Sequence, residues 1–267
     1  MKKLNDSSPE NSNDEIDPEI KEKIQKGVPS DHDEKLVDQQ NNLNESHQAI
    51  SGEQLDFRYV AYDQDIAILG SKGSGKSYLA NKILQSLNGI NVWVYDFNFQ
   101  FHDNKGIVFH NLDEFLDAWA VAKHGHFILQ PFDNSIETFK KFCNALFKNG
   151  NCVGIFDELH SFVNKFSQLH EYNQIILSGR PRGVSAISIS SRPASIPNNV
   201  LTNAKHVFAF RLNLESDIKF LEGYIGSDVW MLAQKDKRKK MLDAPEIAPY
   251  TFFYRDMDSD KGVFAKV

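Results

Sequence analysis

From Gly70 to Ser77 the chain reads GSKGSGKS, two glycines five positions apart followed by a lysine and a serine, which fits G-x-x-x-x-G-K-[ST]. Gly70, Gly73 and Gly75 let a backbone loop curl with its N–H groups inward, as a loop must to cradle phosphates. Lys76 reaches the β- and γ-phosphates, and Ser77 sets its hydroxyl on Mg²⁺ at a helix start whose partial positive charge also favours an anion. Ser71, Lys72, Ser74 and Tyr78 complete the set expected to contact ATP. A glycine-rich turn can match this pattern by chance. Here the apolar run IAIL precedes it and an amphipathic stretch follows, which is the strand–loop–helix setting the motif requires.

A second group lies in CVGIFDELH, where Asp157 and Glu158 come directly after an apolar run. Carboxylates there sit at the carboxyl end of a parallel strand, beside the ligand crevice. Asp157 is expected to hold Mg²⁺ through water, and Glu158 to orient and deprotonate the attacking water. Alone, such a pair is an ordinary helix N-terminal decoration. Beside a phosphate loop it reads as the second half of a hydrolytic site, since transfer to a bound acceptor has less need of a water-activating carboxylate.

Both groups need strands that end on one edge of a sheet. Asp65–Leu69, Ile90–Tyr95, His126–Leu129, Cys152–Phe156, Val184–Ser190 and His206–Arg211 read as strands, apolar nearly throughout, as strands covered on both faces should be. Between them Lys76–Leu87, Asn111–Lys123, Ser135–Phe147, Leu159–Ser178 and Ser216–Gly223 show helical spacing, with Asn134 and Glu137 as a capping box for the third. The chain ends in a stretch expected to form a β-hairpin, with Asp258–Gly262 in its turn. The fold class is therefore α/β, a P-loop NTPase with a mostly parallel central sheet flanked by helices and a C-terminal β-hairpin.

The 267 residues suffice for one main domain. Residues 1–55 carry 6 Lys and 13 Asp+Glu, whereas the rest is balanced at 24 Lys+Arg against 23 Asp+Glu, so the net charge of −6 belongs to the N-terminal part. That part is polar and lacks aromatics, so we read 1–55 as a disordered acidic tail and 56–267 as the P-loop ATPase domain. Ile16, Ile20 and Ile24 within it have the spacing of a transient helix. Cys143 and Cys152 read as reduced thiols, no apolar run has the length of a membrane span, and the start lacks a signal-peptide core, which together imply a cytoplasmic protein. The nine histidines and two cysteines offer no zinc-site spacing. The basic run KDKRKK, residues 235–240, suits either a DNA backbone or a solvated loop.

The stretch ILSGRPRGVSAISISSRPASIPNNVLTNAKHVFAFRL, residues 176–212, resembles the FtsK/HerA superfamily of DNA-pumping ATPases. It has Gly179-Arg180, Gly183-Val184, Arg192-Pro193, Ile196-Pro197, Asn203 and Phe208-Ala209-Phe210-Arg211 in the superfamily's order. The resemblance covers about residues 60–267. It implies a RecA/FtsK-like fold and a ring, usually a hexamer, around double-stranded DNA. An arginine then reaches the neighbouring subunit's γ-phosphate, with Arg180 first and Arg182 second for that role. The superfamily's strand usually ends in a glutamine that senses the γ-phosphate; here Ser190-Ser191 stand at that end, and Ser191 takes the place with a shorter side chain. A bare ATPase core behind a polar tail is most similar to the genome-packaging ATPases of tailless icosahedral double-stranded DNA viruses. That implies packaging into a preformed capsid, virion association, and a tail that docks on a capsid vertex or membrane protein. A plasmid mobilisation or conjugation ATPase, a host HerA-like pump, and a nucleotide-dependent switch without sustained turnover are the alternatives.

Overall fold

The computed structural model describes residues 64–101, 106–167, 169–233, 248–259 and 262–267; the acidic tail and the run 235–240 lie outside them. Nine strands, β1 (Asp65–Leu69), β2 (Val92–Asp96), β3 (Ile107–Phe109), β4 (His126–Leu129), β5 (Cys152–Asp157), β6 (Val184–Ser190), β7 (Ala204–Phe210), β8 (Thr251–Asp256) and β9 (Gly262–Lys266), form one sheet. Their order is β3-β4-β2-β5-β6-β1-β7-β8-β9. Strands β1 to β7 are parallel, and β8 and β9 extend the sheet as an antiparallel hairpin. β6 lies between β1 and β5, so the loops that leave those three strands meet on one edge.

The inner strands β1, β2, β5, β6 and β7 are buried because they are nearly apolar on both sides, whereas the edge strand β3 leaves Ile107 and Val108 exposed. Ile66, Ile68, Val94, Ile155, Ile187 and Ile189 face one way and pack under α1 (Lys76–Ser86), which contributes Leu79, Ala80, Ile83 and Leu84. Ala67, Leu69, Trp93, Tyr95 and Phe156 face the other way. They are covered by α2 (Leu112–Ala122), α3 (Ile136–Asn149), α4 (His170–Ser178), α5 (Asn198–Asn203) and α6 (Glu215–Ile225). Burial of one such side chain stabilises by roughly 1.5–3 kcal/mol. Among the described residues, α1 is the helix that packs on the Ile66 face of the sheet.

Several expectations need correction. The stretch Leu159–Ser178 is not one helix but a 3-10 turn at Leu159–Ser161, a loop, and then α4. Asn164 breaks it: its side chain accepts from the N–H groups of Phe166 at 2.9 Å and Ser167 at 2.8 Å, a local bond that competes with helical pairing. The cap of α3 is Ser135 rather than Asn134; Ser135 Oγ accepts from the Thr138 N–H at 3.2 Å, and Glu137 pairs with Lys140 at 2.6 Å. β2 starts at Val92, β7 at Ala204, and Asp157 is the last residue of β5. The edge strand β3 and the six-residue α5 are too short for periodicity to reveal. Cys143 and Cys152 are buried and unpaired, and burial pushes both thiols up. Among the described residues no helix is long and apolar enough to cross a membrane.

Ile83 is fully buried between α1 and the sheet. Truncation to alanine is expected to cost about 2–5 kcal/mol in urea denaturation, and nucleotide affinity should fall with it because the same helix carries Lys76 and Ser77.

Candidate active site

The loop after β1 is held from beneath by its neighbours. Gly70 N–H donates to Ser190 O at 3.2 Å and Ser71 N–H to Arg211 O at 2.8 Å, which ties the loop to β6 and to the end of β7. Gly70 and Gly75 have φ of 151° and 114°, in the region that favours glycine. A Cβ on Gly70 would lie 2.6 Å from Phe210 Cβ, and one on Gly75 would lie 2.9 Å from Tyr250 Cδ1. The backbone can pass there only without side chains.

The N-terminus of α1 is left open for an anion. It has no side-chain cap and no acidic residue in its first turn, whereas α2 is capped by Asn111 and opens with Asp113 and Glu114. The first N–H groups of α1, from Lys76, Ser77 and Tyr78, have no partner within the helix. Ser74 Oγ is buried without a hydrogen-bond partner among the described residues. Lys76 is buried, its Nζ donating to Ser71 O at 3.1 Å. Burial lowers its pKa, opposed by the charges of Glu158 and Asp157. A buried ammonium with one backbone partner has bonding capacity left for phosphate oxygens.

Two buried aspartates, Asp96 and Asp157, lie side by side in the β2–β5 register, and their partners tell them apart. Asp96 is saturated, accepting from the Gln100 N–H at 2.9 Å, the Phe101 N–H at 3.0 Å and Gln130 Nε2 at 2.8 Å. Asp157 Oδ2 has no hydrogen-bond partner among the described residues. Burial, then the charges of Glu158 and Asp96, raise the Asp157 pKa to about 7, against the pull of Lys76 and a bond from Asn98. A buried carboxylate oxygen without a donor among the described residues, near an uncapped helix N-terminus, fits a divalent cation, which Asp157 and Ser77 would hold.

Glu158 is the opposite case. Burial pushes its carboxyl up, but hydrogen bonds from His160 and Ser191 outweigh this and hold it below the usual carboxylate range. His160 Nδ1 lies 2.8 Å from Glu158 Oε1, and the Ser191 N–H donates to the same oxygen. The peptide between Asp157 and Glu158 is cis. The two neighbouring carboxyls differ: the surroundings of Asp157 favour its protonated form, and those of Glu158 its ionised form.

The remaining expected residues divide by place. Ser191 stands at the site, where it bonds Glu158. Tyr78 is exposed, with Lys82 Nζ 5.1 Å above its ring and Tyr250 6.4 Å away. Lys72 is exposed on the loop. Arg180 and Arg182 lie at the start of β6, on the opposite edge of the sheet. Arg182 is engaged at the end of α3: its Nε donates to Phe147 O at 2.8 Å, its NH2 to Lys148 O at 2.9 Å, and its guanidinium covers the Phe147 ring. Sequence reasoning missed His160, Asp96 and Tyr250. The first was readable as the neighbour of Glu158 in DELH, whereas Tyr250 reaches the loop only through the fold.

No family model matches the sequence, and no curated protein matches it. Among solved structures the chain is similar to the genome packaging NTPase B204 of Sulfolobus turreted icosahedral virus 2 in complex with ATP-gammaS. That match has 18% identity and a TM-score of 0.59 over 76% of this chain and 97% of that one. It is also similar to B204, the DNA-packaging ATPase of Sulfolobus turreted icosahedral virus, with 19% identity and a TM-score of 0.58 over 77% and 98% of the two chains. The fold is that of a P-loop ATPase.

The buried Asp157 makes a pH prediction. Its folded pKa is above its unfolded value, so the folded state binds the proton more tightly, and stability is lost as pH rises from about 4 to about 7. With chelator and no nucleotide, Asp157→Asn should gain stability relative to wild type across that window, by about 4 kcal/mol at most, and the difference should be flat above it. Urea melts at pH 5 and pH 8 measure this; equal differences at both would contradict the assignment.

Proposed function

We propose that this chain is an ATP hydrolase that moves double-stranded DNA and packages a viral genome into a preformed capsid. The observation that carries the hydrolytic part is the split between the two adjacent carboxyls: Asp157 with an unbonded buried oxygen, Glu158 held ionised by two donors. A cation ligand and a base for water are the two roles that phosphoanhydride hydrolysis requires. The packaging part is supported by the likeness to B204 and by the motif order in residues 176–212.

In this reading the loop N–H groups and the start of α1 bind the phosphates, and Lys76 moves its bond from Ser71 O to a phosphate oxygen. Ser77 and Asp157 would hold Mg²⁺, which would withdraw charge from the phosphates. Glu158 takes the proton of the attacking water. Tyr78 and Tyr250, at the rim of the loop, are placed to contact the base. Arg180 is separated from its own phosphate loop by the seven residues of β6, roughly 20 Å. That separation supports a role for Arg180, and second for Arg182, toward the nucleotide of a neighbouring subunit in a ring. The protein acts in the host cytoplasm, where capsid and genome meet.

Steady-state ATP hydrolysis with and without linear double-stranded DNA tests this. DNA should stimulate turnover. Glu158→Gln should lower kcat by about 10²–10⁴-fold while ATP still binds, whereas Lys76→Ala should lose ATP binding. Turnover indifferent to DNA would overturn the DNA-coupled reading, and turnover indifferent to Glu158→Gln would overturn the hydrolytic one.

A further inference from the structure

We infer that His160 is the residue that positions the general base Glu158, an inference that rests on the hydrolytic reading above. His160 follows Glu158 by two residues, in the 3-10 turn Leu159–Ser161, which brings its ring back over the carboxylate. Its Nδ1 is 2.8 Å from Glu158 Oε1 and 3.2 Å from Ser190 Oγ. A carboxylate oxygen only accepts, and a bare Nδ1 at that distance would oppose lone pair to lone pair. Nδ1 therefore carries a hydrogen and donates it to Oε1, which fixes the ring tautomer.

The other contacts hold this arrangement in place. Ser190 is the last residue of β6, and its Oγ accepts from the Arg192 N–H at 3.1 Å, so it is set by the backbone. The Ser191 N–H donates to the same Oε1 as His160. Two donors from separate segments, the turn after β5 and the loop after β6, thus hold one oxygen of the base. Oε1 is committed, and the proton of the attacking water goes to Oε2. A glutamate side chain has three rotatable bonds, and a base displaced by about 1 Å loses up to about 100-fold in rate. Fixing Oε1 is how this site places Oε2.

The test uses the full chain with MgATP. His160→Ala should lower kcat about 10- to 100-fold with KM for ATP within about twofold of wild type. His160→Asn, whose amide N–H can replace Nδ1–H, should recover most of that loss. Without nucleotide, ¹⁵N-histidine spectra should show His160 as the Nδ1–H form, and Glu158→Ala should abolish that preference. Wild-type kcat in His160→Ala would overturn the inference, as would equal losses in His160→Ala and His160→Asn, or an Nε2–H tautomer in the wild-type protein. Those results leave the hydrolytic reading standing if Glu158→Gln still abolishes turnover. Wild-type hydrolysis that is absent, or unaffected by Glu158→Gln, removes that reading and this inference with it.

Discussion

Lys76, Asp157 and Glu158 share one desolvated crevice, and each answers burial differently. Burial lowers the lysine's pKa and raises that of Asp157, while donated hydrogen bonds keep Glu158 ionised against the same force. Such a cluster is costly in a folded chain unless something else enters to balance it. Phosphates would balance the lysine and the open start of α1, and a divalent cation would balance Asp157. The rest of the fold serves to hold these three side chains in register.

The register comes from the sheet. β6 separates β1 from β5 and bonds to both, so the phosphate loop, the two serines at the end of β6 and the Asp157-Glu158 pair are fixed relative to one another by backbone pairing. The Gly70–Ser190 and Ser71–Arg211 bonds extend that fixing into the loop itself. Phe210 and Tyr250 then close over Gly70 and Gly75 from the far side, so residues of the last strands shape the first loop. Asp96, fully bonded, supports the chain from Gln100 to Phe101 and leaves Asp157 as the carboxylate available to a cation.

Much of this was legible in the chain before folding. Asp65–Leu69, His126–Leu129 and Val184–Ser190 appear at their expected bounds because strands covered on both faces form near-continuous apolar runs, which in the last admit only the small buried Ser185, Ser188 and Ser190. The phosphate loop was legible because its glycines answer to backbone geometry rather than packing. What escaped was decided by single side chains or by distance: the Asn164 bonds that split a helix, the choice of Ser135 as a cap, and Tyr250 beside Gly75, 175 residues away in sequence. The shortened side chain of Ser191 looked like a weakened phosphate sensor. What the sequence did not show is that the Ser191 backbone N–H, with His160, bonds Glu158.

The most direct test of the whole account is displacement of a triplex-forming third strand from the end of linear double-stranded DNA by the assembled protein with MgATP. Translocation predicts release of the third strand that requires hydrolysable ATP and disappears in Glu158→Gln. A triplex that persists while ATP is consumed would mean that hydrolysis here drives something other than movement along DNA.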